Sequence, residues 1–249
     1  MKSLIKNFQH DSCICVINEY VNGKVYSIRK SSSTLSGIIN LRREKEGIDW
    51  YNSQKNSDKI QIIEFQIFEK YGYLKFMCTK GYYPLKSYSY KKNFEVIELC
   101  LEHYMQVWGP IIEKFPLLSL YPFHGDLSLS GNILIKGVDL LIVDWEHYCF
   151  NGAPIGTDLV YLMLEALYFE YEESGKISGD SMRHVNKMIL EMLKKKILSP
   201  FFCKGYVFKS LLQFIRNNKL IWGNQYNKFI FLTGDSAITK SFITILDFV

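Results

Sequence analysis

The sequence predicts an α+β chain, rich in strands over its first third and mainly helical afterwards. Three observations predict it. The first thirty residues alternate apolar and polar positions, as strands with one buried face do. Val96, Leu99, Cys100, His103, Tyr104, Val107 and Trp108 instead recur at helical spacing. From Thr157 onward every segment carries helical character.

Taken in order, residues 2–6, 13–17 and 24–30 are expected strands, the last two joined by Asn22-Gly23, a pair suited to the positive φ values of a tight hairpin turn. A Ser/Thr-rich loop over 31–36 leads into a loosely amphipathic helix over 38–51. Residues 59–79 are again β-rich, with their turn at Tyr71-Gly72. The Gly-, Pro- and Ser-marked stretch 81–90 is an expected domain boundary. The helix after it is expected to stop near Gly109-Pro110, because proline lacks the N–H that would continue it. Short strands follow at 133–135 and 140–143, then helices at 158–172, 181–198 and 202–217 and weaker segments to Val249.

Composition narrows the class. With 249 residues, 48% of them hydrophobic, the chain can bury one sizeable core or two small ones. A 22% charged and 15% aromatic content excludes a disordered chain, which would lack the apolar surface to offset its entropy. The net charge of +5 is modest and its lysines are scattered, so a nucleic-acid partner is not expected. The triplet Lys194-Lys195-Lys196 is read as a solvated helix end, with peripheral contact to an anionic membrane surface as the other reading. No run reaches the ~18 apolar residues of a membrane span. The N-terminus is too polar for an export signal. Six cysteines without C-x-x-C or His/Cys ligand spacing read as buried thiols, and the cytoplasm is the expected compartment.

The chemistry concentrates in Phe123-His124-Gly125-Asp126-Leu127-Ser128-Leu129-Ser130-Gly131-Asn132-Ile133-Leu134-Ile135, followed by Leu141-Ile142-Val143-Asp144-Trp145-Glu146. Two aspartates, 18 residues apart, each end an apolar strand, and an asparagine lies between them. Carboxylate and amide oxygens suit hard Mg²⁺, which bridges substrate phosphates, better than zinc. Phosphoryl transfer asks for one base, one or two metal ions and cations on the phosphate oxygens. Asp126 is the candidate base, Asp144 the candidate metal ligand and Asn132 the candidate ligand of a second metal, while His124 braces the loop.

This segment resembles the aminoglycoside phosphotransferase and choline kinase-like family, relatives of the protein kinases, whose pattern is H-G-D-x-x-x-x-N-I-L followed by a hydrophobic strand and D-W-E or D-F-E. Gly156-Thr157-Asp158-Leu159 is similar to that family's downstream Asp-Leu at a helix start, which implies a structural role for Asp158. Arg43 to Trp50 looks like the family's helix bearing a glutamate, here Glu44, that pairs with a nucleotide-binding cation, and Tyr26 to Lys30 resembles the strand before it. The resemblance spans roughly residues 10 to 165. It implies a protein kinase-like two-lobed fold, with a small β-rich N-lobe over 1–82 binding the nucleotide. A mainly helical C-lobe over 83–249 would carry the catalytic loop and hold the acceptor. ATP and Mg²⁺ are the implied cofactors, with ATP near residues 80–90.

Strand alternation puts Ser27 and Arg29 on one face and Lys30 on the other. Small Ser27 would suit the roof over an adenine ring, which favours Arg29 as the phosphate cation and partner of Glu44, with Lys30 as the alternative. Two departures from the family pattern matter. Asp126 and Asn132 are six residues apart where the family has five, and a bulge at Gly131 is the expected remedy. The nucleotide loop over residues 7–12 lacks glycines, leaving Ser12 or its N–H as a candidate phosphate contact.

The expected activity is ATP-dependent transfer of phosphate to a hydroxyl of a small molecule, leaning to a sugar or cell-envelope glycan. An amino-alcohol such as choline, or an antibiotic, is the alternative acceptor, and a pseudokinase-like nucleotide-binding module is the alternative of another class. Only 13 residues separate Asp144 from Asp158, too few for a protein-kinase activation loop. Basic residues outnumber acidic ones after residue 150, and Glu170, Glu172 and Glu173 read as a solvated helix end, which disfavours a polycationic antibiotic. Tyr161, Tyr168, Phe169, Tyr171, Phe201, Phe202, Tyr206 and Trp222 could stack on a sugar, although core packing accounts for most of them.

Overall fold

A computed structural model describes residues 14–217 except 23, 56–58, 79, 85–89, 117–118, 130 and 204–206. The expected strand over 2–6, the helical segments beyond 217, Ser12, Tyr206 and Trp222 lie outside the described residues. The architecture is mixed α+β, with an antiparallel sheet and several helices. The chain divides into two compact units, one of residues up to Tyr82 together with Asp144–Tyr148, the other of Tyr83–Val143 with Cys149 onward.

The first unit is built on a four-stranded antiparallel sheet of β1 (Cys15–Val21), β2 (Lys24–Ser32), β3 (Ile62–Ile67) and β4 (Gly72–Met77), in the order β1-β2-β4-β3. Asn22 takes φ 52° at the β1–β2 turn, as expected of the Asn-Gly pair. Between β2 and β3 runs α1 (Leu35–Gln54), whose N-cap Thr34 accepts from the Gly37 N–H at 3.2 Å. α1 packs on β2 and β4, burying Ile38, Leu41 and Ile48 with Leu74 and Phe76. The segment 144–148 joins this unit through aromatic side chains. Trp145 is fully buried, with its ring 5.0 Å from that of Tyr51 and 5.8 Å from that of Trp50, and Tyr148 closes the cluster.

Gly47 makes that contact possible. A Cβ there would stand 2.7 Å from the Trp145 Cβ and 2.9 Å from the Tyr148 Cβ, closer than side chains approach. Gly47→Ala is therefore expected to destabilise the protein by about 1–3 kcal/mol despite alanine's better helix propensity, through overpacking. Urea unfolding checks it, and an unchanged or raised midpoint would show that the aromatic cluster yields freely.

The second unit holds α2 (Tyr90–Lys114), α3 (Thr157–Ser174), α4 (Gly179–Lys194), α5 (Pro200–Cys203) and α6 (Val207–Asn217). Five short strands accompany them: β5 (Tyr83–Pro84), β7 (Ile133–Lys136) and β8 (Asp139–Ile142) in one sheet, β6 (Tyr121–Phe123) and β9 (Cys149–Ala153) in another. α2 runs through Pro110 to Lys114, where the sequence predicted a stop. Packing wins over the lost hydrogen bond: Val107, Trp108 and Ile112 on either side of Pro110 are buried, and the Trp108 indole donates to the Pro122 carbonyl at 2.6 Å.

Two smaller expectations are corrected by burial. Glu170 is not a solvated helix end but is 2% exposed and accepts the Ser178 N–H at 3.1 Å, ahead of α4. Of the four described cysteines with placed side chains only Cys100 is buried, burial pushing its thiol pKa up. The lysine triplet does end α4, with Lys194 largely exposed beside Glu191, a placement that complements the helix dipole. Among the described residues no helix is long and apolar enough to cross a membrane.

Candidate functional site

In the first unit the buried β2–α1 interface carries a charge cluster. Because α1 covers the sheet face shared by Ile28, Lys30, Leu74 and Phe76, it is Lys30 that turns toward the helix. Its ammonium lies 2.8 Å from each oxygen of fully buried Glu44 and also pairs with Asp144. Arg29 lies on the opposite face of β2. Its guanidinium donates to the Tyr71 hydroxyl at 2.8 Å and lies 4.4 Å over the Tyr73 ring. The expected Arg29–Glu44 pair is thus corrected to Lys30–Glu44, since helix packing selects the strand face. Ser27, instead of presenting a bare surface, donates to Glu19 at 2.6 Å.

Burial pushes Glu44 up to about 7 against the pull of the Lys30 charge, and the neighbouring carboxylates of Asp144 and Glu146 push the same way. Lys30 is held above its ordinary value because Asp144, Glu44 and Glu146 together outweigh its own burial. Asp144 takes φ 68°, a left-handed conformation uncommon outside glycine, asparagine and aspartate. Glu44, Asp144 and Glu146 each bring a carboxylate oxygen within 4.8 Å of the others. Such hard, anionic oxygens fit Mg²⁺, with Lys30 as the cation already drawn to the same oxygens.

In the second unit the loop after β6 is held from several sides. His124 is fully buried, and its Nδ1 accepts the Asp126 N–H at 3.2 Å. The ring proton then resides on Nε2, which donates to the Val143 carbonyl at 2.9 Å. Asn132 spends its Nδ2 on the Asp126 carbonyl at 2.6 Å and on Asp126 Oδ2 at 3.3 Å, and neither bond uses its Oδ1. At Gly131 nothing lies within 4 Å of where a Cβ would stand, so a side chain there would meet no clash.

Asp158, at the start of α3, accepts the His124 N–H at 2.9 Å and the Gly125 N–H at 3.2 Å. Burial pushes it up to about 7; the two N–H groups oppose the shift and the Asp126 charge adds to it. Its folded pKa exceeds the ordinary 3.8, so the folded state keeps a proton that the unfolded chain has released. Stability from this group therefore falls as pH rises from about 4 to about 7, by as much as about 4 kcal/mol. Asp158→Asn is expected to flatten the pH dependence of the urea midpoint over that window, relative to wild type. Parallel curves would show that Asp158 does not titrate there.

Sequence reasoning assigned no role to Glu146 or to Glu165, a fully buried acid on α3. A carboxylate seven residues after Asp158 in the otherwise apolar run Leu159–Leu167 was the available signal. No protein-family model matches the chain, and no curated protein matches it.

Proposed function

We propose that the chain is an ATP- and Mg²⁺-dependent phosphotransferase with a protein kinase-like arrangement, acting on a hydroxyl of a small molecule and leaning to a sugar or cell-envelope glycan. The observation that carries the reading is the Lys30 ammonium held between Glu44 and Asp144 inside a patch of three carboxylates. A buried lysine with acidic partners on a helix and on a left-handed turn is suited to binding nucleotide phosphates beside a divalent ion. Asp144 and Glu146 would hold Mg²⁺, which neutralises phosphate charge when bound. Lys30 would then engage phosphate oxygens while Glu44 keeps its ammonium in place.

Asp126 supplies the remaining group. Its carboxylate accepts from the Asn132 amide and its backbone N–H donates to His124, a tethering that supports its reading as the acceptor of the hydroxyl proton. The test is ATP turnover by the purified chain, with and without Mg²⁺, against a glycan and small-alcohol library using γ-labelled ATP. Mg²⁺-dependent label transfer supports the reading. ATP binding without turnover would favour a nucleotide-binding module, and no ATP binding would end the proposal.

A further inference from the structure

α3 presents two buried carboxylates along one stripe, Asp158 and, two turns on, Glu165. Both accept hydrogen bonds from the loop over residues 124–129. Asp158 takes the N–H groups of His124 and Gly125, just before Asp126. Glu165 takes the Ser128 hydroxyl on Oε1 at 2.8 Å and the Leu129 N–H on Oε2 at 2.6 Å, just after it. Four donors thus end on one helix, two on each side of Asp126. Of residues 124–129, Asp126 alone is not buried.

An acid with no exposed surface is costly to keep unless each oxygen is satisfied, and here each oxygen has a strong donor. The residues that Glu165 grips, Ser128 and Leu129, lie in the middle of the six-residue span from Asp126 to Asn132. Asn132 ties the far end of that span back to the Asp126 carbonyl. Without Glu165 the Ser128 hydroxyl and Leu129 N–H would be buried donors lacking this acceptor, and the arc would relax toward other partners.

We infer that Glu165 is the positioning residue that sets the Asp126 carboxylate for its reaction, acting through Ser128 and Leu129. The inference rests on the phosphotransferase reading. The experiment compares wild type, Glu165→Ala, Glu165→Gln and Ser128→Ala in the full chain. It reads kcat and KM for Mg²⁺-ATP with water as acceptor, and hydrogen exchange at the Leu129 amide.

Glu165→Ala is expected to lower kcat about ten- to hundredfold with KM for ATP within about twofold, and to speed Leu129 exchange by a similar factor. Glu165→Gln restores most of both, since its amide oxygen can accept from Leu129 while its NH₂ donates to the Ser128 oxygen. Ser128→Ala, which leaves the Leu129 bond in place, lowers kcat about tenfold and supplies the readout where Glu165→Ala does not fold. Turnover in wild type that survives both Glu165→Ala and Ser128→Ala, or a loss that Gln does not rescue, overturns the inference alone. Absence of Mg²⁺-dependent turnover in wild type overturns the phosphotransferase reading and this inference with it.

Discussion

Asp126→Asn is expected to lower kcat for Mg²⁺-ATP turnover by about 10²- to 10⁴-fold, with ATP affinity within a factor of about two. Asparagine matches aspartate in size and keeps an oxygen for the Asn132 amide, which now donates at 3.3 Å. It also keeps the backbone N–H that bonds His124. What it loses is the ability to take up a proton. The expected signature is a fall in kcat with unchanged nucleotide titration and unfolding midpoint. A variant retaining kcat within about tenfold of wild type would remove Asp126 from the role of base.

Lys30→Met is expected to act on stability and on nucleotide binding together. Methionine fills much of the same volume but leaves Glu44 buried without its cation, beside Asp144 and Glu146, and breaking such a pair costs about 3–5 kcal/mol. Glu44 already has a folded pKa above its ordinary 4.5, and losing Lys30 raises it further. The penalty should therefore be larger at pH 8 than at pH 5, where the carboxyl can hold a proton. Adding Glu44→Leu should return much of the stability, because an apolar pair of similar volume carries no desolvation cost. It should not return ATP affinity, measured by calorimetric titration. Recovery of both would mean that Lys30 serves the fold alone.

Much of this arrangement was legible in the residues, for identifiable reasons. Local patterns carried β1, β2, α1, β3 and β4, because alternation and the Asn-Gly turn depend on neighbours in sequence. The loop around Asp126 stood out in the sequence because His124, Asp126 and Asn132 gather between two apolar strands, even though the Asp126–Asn132 spacing is one residue longer than the family pattern. The choice between Arg29 and Lys30 was not, since both faces of β2 bear a cation and only the packing of α1 decides which is enclosed. The continuation of α2 through Pro110 was hidden for a similar reason: burial of Trp108 and Ile112 is a tertiary matter that overrides a local stop signal. Glu165 was visible as an acid in an apolar run, but its partners lie more than thirty residues earlier in the chain.

The aromatic patch of Trp50, Tyr51, Trp145 and Tyr148 also bears on how the chain is made. Half of it leaves the ribosome about sixty residues after Tyr82, several seconds later at ordinary synthesis rates. Until then the nascent N-terminal portion carries two uncovered rings that cannot reach their final neighbours. A fragment cut at residue 82 would be stranded in that unfinished condition, prone to self-association, and supplying a short peptide that contains Asp144–Tyr148 is the natural way to complete it.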